Sequence, residues 1–111
     1  MDEIKVGDII LVRYPFDEDK KQFKIRPSLI IERYQDTLEI LILKMTTSPP
    51  RNGFDYAIKK WNTFGLDKPS TVRISRKLVI EKASILKLLG TISNEDLSNV
   101  MKIYNSLKYL G

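Results

Sequence analysis

Two stretches of the sequence hold residue types that could act together on one substrate. The first is "FKIRPSLIIERY" (23–34), where Arg26 and Pro27 open an apolar run; the second is Thr46-Thr47-Ser48, which ends another apolar run. A guanidinium offers fixed, planar N–H donors and keeps its proton far above neutral pH. It therefore suits the binding and stabilisation of phosphate oxygens, and a threonine hydroxyl adds a neutral donor to the same oxygens. The chain has no histidine and no cysteine. Their absence removes the usual acid–base group near neutral pH, the commonest metal ligand, thiolate nucleophiles and disulfides. There is no glycine-rich phosphate loop, and no spacing singles out a pair of carboxylates for glycosidase-type chemistry.

The elements that must position these residues are mostly strands. "DIILVRY" (8–14), bounded by Gly7 and Pro15, reads as a strand, and "PFDEDKKQFK" (15–24) as a charged loop. "RPSLIIERY" (26–34) is a second strand, with Pro27 expected at its start or on an edge because it donates no backbone hydrogen bond. "QDT" (35–37) is a turn and "LEILILKM" (38–45) a third, central strand. In an antiparallel hairpin turning near Asp36, partners carry numbers summing to about 72. Arg26 is then expected opposite Thr46, at the hairpin's open end.

Beyond the loop "TTSPPRNG" (46–53), "FDYAIKK" (54–60) is a short strand, and "WNTFGLDKPS" (61–70) holds at most one helical turn. "TVRIS" (71–75) and "KLVIE" (77–81) are two strands or one with a bend, and "ILKLLGTI" (85–92) continues the β region. Ser93 and Asp96 form a capping-box variant, with Ile92 and Leu97 placed for the hydrophobic staple. Leu97, Val100, Met101, Tyr104, Leu107 and Leu110 then recur at helical spacing. Short strands with Gly and Pro turns plus one terminal helix indicate a mainly β, strongly curved, barrel-like sheet.

Ordinary structural roles compete for each residue. An arginine at a strand mouth is also a common solvated charge, and Thr-Thr-Ser before Pro-Pro is also turn chemistry. Trp61 and Phe64 suit core or loop anchors as well as base stacking. Lys20, Lys21 and Lys24 form either a solvated loop or a basic grip beside Arg26.

At 111 residues, 42% hydrophobic and 30% charged, the chain is expected to be one domain spanning 1–111. The start "MDEIKVGDII" has no secretory pattern and no window is long and apolar enough for a membrane span, so a cytoplasmic protein is expected. A formal net charge of +5 favours polyanionic partners.

In these stretches the chain resembles the MazF/PemK family of toxin endoribonucleases. The matching pieces are "GDIILVRYPF" (7–16), "KIRPSLII" (24–31), "LKMTTS" (43–48), "GLDKPSTVR" (65–73) and "LGTISNEDLSNV" (89–100), in the family's order. The resemblance implies an SH3-like curved antiparallel barrel with a C-terminal helix, acting as a homodimer. It implies metal- and cofactor-independent cleavage of single-stranded messenger RNA through attack by the ribose 2′-OH, and a cognate antitoxin as partner. The catalytic arginine of the family falls on Arg26 and the threonine on Thr46, with Thr47 the fallback and Ser48 a supporting hydroxyl. Lys20, Lys21, Lys24 and Arg51 are the candidate RNA-binding cations. Two other functions suit such a barrel: poisoning of DNA gyrase, as by CcdB-like toxins, and nucleic-acid binding without catalysis. The gyrase reading would use the last residues of the helix, where "NSLKYLG" reads better as core.

Overall fold

Among the described residues, six strands and one helix form along the apolar segments. They are β1 (Asp8–Pro15), β2 (Phe23–Arg33), β3 (Glu39–Thr46), β4 (Asp55–Ala57), β5 (Thr71–Glu81), β6 (Ile85–Thr91) and α1 (Asn94–Leu110), with short 3₁₀ turns at Trp61–Thr63 and Lys82–Ser84. The structure, a computed structural model, describes residues 4–15, 23–34, 37–63 and 66–110. Lys20, Lys21, Asp36 and Phe64 lie outside the described residues. All pairings are antiparallel, and the strands lie in the order β4-β5-β3-β2-β1-β6.

Both faces of the sheet are buried, which is why β2 and β3 read as continuous apolar runs rather than alternating ones. Ile9, Leu29, Ile31, Leu41, Leu43 and Met45 join Val100 and Tyr104 of α1 in one cluster. Their neighbours in sequence, Ile10, Ile30, Ile40 and Ile42, turn to a second cluster on the opposite face together with Leu78, Ile80 and Ile85. Leu78 and Ile80 lie on β5 and Ile85 on β6, four strand spacings apart in the sheet, or about 19 Å if it were flat. Sharing one cluster requires the sheet to curl strongly. The expected curved, barrel-like β fold with a C-terminal helix is the observed one.

The hairpin register also agrees. Ser28↔Lys44, Leu29↔Leu43 and Ile30↔Ile42 each sum to 72, before a bulge at Ile31 shifts the last pairs by one. The strand itself starts earlier than expected. Phe23 and Lys24 belong to β2 and pair with Pro15 and Tyr14 of β1, so Lys24 is a strand residue and not part of the charged loop. Pro27 accordingly sits inside the strand, opposite Leu11. It is tolerated because the ladder to β3 begins only at Ser28, leaving the first part of β2 with an open side. The segment expected as a strand over 54–60 is ordered as a strand only at Asp55–Ala57. The two segments 71–75 and 77–81 are one strand, β5, with a bend.

The helix start departs from a capping box in one respect. The Asp96 N–H donates to Ser93 Oγ at 3.1 Å, as expected. The Asp96 carboxylate, one methylene shorter than glutamate, instead gathers donors from the β4 side. Oδ1 accepts from Tyr56 Oη (2.5 Å) and the Lys59 N–H (3.0 Å), and Oδ2 from the Lys60 N–H (3.1 Å) and Ser93 Oγ (3.0 Å). This fully buried carboxylate therefore ties the segment after β4 to the helix. Burial pushes its pKa up, but the bonds from Tyr56, Lys59, Lys60 and Ser93 outweigh burial and hold it below the usual aspartate value. Burial first, and then the bond to Asp96, pushes Tyr56 up to about 12, so its phenol remains a donor.

Gly7 closes the other end of the staple. Its φ is +96°, its N–H donates to the Ile30 carbonyl at 2.8 Å, and its own carbonyl accepts from Ile92 at 2.9 Å. A Cβ there would lie 3.2 Å from Leu97 Cδ2 and 3.6 Å from Ile92 Cγ2. Asp8 follows, buried, accepting from the Lys5 N–H (2.9 Å) and Thr91 Oγ1 (2.8 Å) and so pinning β1 to β6. Among the described residues no helix is long and apolar enough to cross a membrane.

Two stability outcomes follow from these ties. Gly7→Ala destabilises by about 1–3 kcal/mol through its positive φ and the Leu97 contact, whereas Gly53→Ala, whose Cβ meets nothing within 4 Å, stays within about 0.5 kcal/mol; thermal unfolding measures both. Asp96→Asn costs about 1.5–3 kcal/mol at neutral pH. Because the folded pKa of Asp96 is lowered, its contribution is full above the unfolded value of about 3.9 and is lost as pH falls through the folded value. Denaturant titrations below pH 5 therefore show a shallower acid loss in the variant than in the parent.

Candidate anion-binding site

Two of the cationic side chains expected to meet phosphate, Arg26 and Arg51, come together where the paired strands end. The β2–β3 ladder ends at Ser28↔Lys44, and Arg26 and Thr46 each lie two residues beyond that last pair. Both line an open cavity of about 280 Å³, together with Lys44, Arg51, Arg73 and Arg76. Five cations and one hydroxyl thus face a single space.

A bend in β5 makes this possible. Leu43 pairs with Lys77, but the next residue, Lys44, pairs with Arg73, so Ile74, Ser75 and Arg76 have no counterpart in β3. In a regular strand, residues three apart point to opposite faces. The bulge cancels that alternation, so Arg73 and Arg76 line the same cavity while Ile74 enters the core beneath α1. The extra N–H of Ile74 is satisfied from the other side, by the Phe54 carbonyl at 2.9 Å.

The cations differ in how they are held. Asp55, on β4 directly opposite Arg73, is a buried carboxylate. Its Oδ2 accepts from Arg73 Nη1 (2.8 Å), the Arg51 N–H (3.0 Å) and Arg51 Nε (3.4 Å). Its Oδ1 is buried with no donor among the described residues. Arg73 is only 12% exposed, so this pair is well shielded from solvent, while Arg51 is half exposed. Arg26 is half-buried and Arg76 exposed, and among the described residues no carboxylate forms an ion pair with either. Thr46 Oγ1 accepts from the Ser48 N–H at 3.2 Å, which leaves the hydroxyl hydrogen available to donate.

The sequence-derived candidates divide accordingly. Arg26, Thr46 and Arg51 line the cavity; Thr47 and Ser48 are exposed outside its lining, and so is Lys24. Ser48 contributes its backbone N–H to Thr46 rather than its hydroxyl to the cavity. Lys44, Arg73, Arg76 and Asp55 were not indicated by sequence reasoning. The single available signal for the arginines was the uncertain break at residue 76, and nothing in "RNGFDYA" distinguishes Asp55 from a surface acid. Trp61 packs against the core under α1, which favours the anchor over the base-stacking role.

Residues 5–106 match the family model described as PemK-like, MazF-like toxin of type II toxin-antitoxin system. The chain belongs to that family. Solved structures share the fold at low sequence identity. An endoribonuclease in complex with its cognate antitoxin from a mycobacterial species superposes with a TM-score of 0.76 at 13% identity, covering 95% of this chain and 94% of the other. The MazE–MazF complex from Deinococcus radiodurans gives 0.76 at 15% identity, covering 97% of each chain. The Mycobacterium tuberculosis toxin MazF-mt6 gives 0.69 at 16%, covering 90% of this chain and 96% of the other. No curated protein matches the chain closely enough in sequence to serve as a relative.

Proposed function

We propose that this MazF/PemK-family toxin is an endoribonuclease that cleaves single-stranded RNA at the cavity lined by Arg26 and Thr46. The observation that carries the reading is the meeting of an arginine without a carboxylate partner among the described residues and a hydroxyl with a free hydrogen in a cavity lined by four further cations. Such a site binds a phosphodiester and stabilises added negative charge.

In this mechanism the nucleophile comes from the substrate. The ribose 2′-oxygen attacks the adjacent phosphorus, the bond to the 5′-oxygen breaks, and the products carry a 2′,3′-cyclic phosphate and a 5′-OH. The proton leaving the 2′-OH reaches the departing 5′-oxygen through water. Arg26 retains its own proton and stabilises the pentavalent phosphorane, in which charge on the non-bridging oxygens is greatest. Thr46 donates its hydroxyl hydrogen to one of those oxygens. No histidine is needed, which accords with a chain that has none.

The same reading assigns the chain a single domain, a homodimeric state, a cytoplasmic location and an antitoxin partner with an acidic segment. The excess of cations at the cavity and the net charge of +5 favour such a segment.

Incubation with a long single-stranded RNA and a chelator tests the activity: discrete fragments with 5′-OH ends are expected, and intact RNA refutes it. Arg26→Ala abolishes cleavage with an unchanged circular dichroism spectrum. Thr46→Val slows it about 100- to 1,000-fold, and Thr47→Val, outside the cavity, changes it less than about threefold. Equal effects at Thr46 and Thr47, or full activity of Arg26→Ala, would remove these residues from the mechanism.

A further inference from the structure

A single scissile phosphodiester carries one negative charge, yet five cationic side chains line the cavity, and Asp55 is bonded to two of them, Arg51 and Arg73. The surplus is arranged in two places. Arg26 stands on β2, and the Arg73–Asp55–Arg51 group stands on β5, β4 and the segment before β4. β2 and β5 flank β3, so their backbones are two strand spacings apart, about 10 Å. The two groups therefore reach the one cavity from strands on either side of β3, an arrangement that suits successive groups of one extended strand.

Asp55 serves its two arginines unevenly. All three donors converge on Oδ2, and the buried Oδ1 receives none among the described residues. Three donors on one oxygen hold the side chains that carry them in a defined place. What the arrangement does achieve is orientation. Arg73 uses Nη1 on Asp55 and Arg51 uses Nε, so each guanidinium keeps other N–H donors that Asp55 does not occupy, and both residues line the cavity. Holding long side chains in place before an anion arrives removes an ordering cost from binding.

We propose that Asp55, Arg51 and Arg73 form a preset clamp for a second phosphate of the bound strand, next along from the phosphate that Arg26 and Thr46 hold. Asp55 is the positioning residue and the two arginines are the contacts. The proposal rests on the reading of the cavity as a site for single-stranded RNA.

The role of Asp55 gives a result opposite in sign to simple charge counting. Removing a carboxylate from a cationic site should tighten polyanion binding, whereas removing the residue that orients the clamp should weaken it. The measurement is fluorescence-anisotropy binding of a labelled 12-nucleotide single-stranded DNA, which lacks the 2′-OH and stays intact, over a series of salt concentrations. Asp55→Ala is expected to bind about tenfold more weakly than the parent, and its plot of log K against log salt to lose about 0.7 of slope, the loss of one phosphate contact on a single strand. Arg73→Ala should lose the same slope. Tighter binding by Asp55→Ala, or an unchanged slope in either variant, overturns the clamp.

Arg73→Lys provides the check that does not depend on Asp55→Ala folding, which thermal unfolding establishes. It keeps the charge but loses the planar fork, and should bind about three- to tenfold more weakly; affinity equal to the parent overturns the proposal. A parent protein that binds the DNA with these variant effects but leaves RNA intact would retain the clamp and refute the nuclease. A parent that binds no single strand refutes both.

Discussion

Three residues of β5, Ile74 to Arg76, have no partners in β3, and the arrangement of the cationic end of the sheet depends on that mismatch. A strand that carries three more residues than its neighbour must bend away from it. The bend sends Ile74 into the core under α1, where its side chain helps seat the helix, and turns Arg73 and Arg76 to one side. Without it, the alternation of a regular strand would place one of those arginines on the opposite face, against an interior built from isoleucine, leucine and valine. The seating of Ile74 in the core and the concentration of positive charge thus share a cause.

Burial on both faces of the sheet limits where charge can go. Central positions of β1, β2 and β3 are apolar on either side, so polar groups collect at strand ends and in the segments around β4. Two buried carboxylates there illustrate opposite solutions to the cost of burying charge. Asp96 is surrounded by four neutral donors, which hold it ionised and fasten the segment after β4 to the helix. Asp55 is paired with two arginines through one oxygen, and its partners line an open cavity. The first arrangement fits a structural tie. The second fits a group that serves a site.

The family membership and the cavity bear on each other. A toxin fold lacking histidine and cysteine has few ways to move protons, but a substrate that carries its own 2′-hydroxyl needs chiefly charge stabilisation and alignment. Arginine supplies both, through a permanent charge and a planar donor set. The short distance in sequence between Thr46 and Arg51 places the neutral donor and one of the clamping cations on the two sides of a single Pro-Pro loop, so the geometry of that loop couples the two halves of the proposed site.

Much of this was legible in the sequence because it depends on local rules. The antiparallel condition set the β2–β3 register from Ser28↔Lys44 to Ile30↔Ile42, and the spacing of Leu97, Val100, Met101 and Tyr104 set the helix face. Short-range patterns carry such information since strand alternation and helix periodicity are properties of the backbone itself. The early start of β2 was not legible, because Phe23 and Lys24 resemble loop residues until β1 is there to pair with them. Nor were Asp55, Arg73 and Arg76 as a group. Their residue types are ordinary for a surface, and they are gathered only when β4 lies beside β5 and β5 bulges against β3. Sequence determined which strands form and which hairpin ends meet; tertiary packing decided which charges share a cavity, because the face to which a bulged strand directs its side chains is fixed by its neighbours and not by its own alternation.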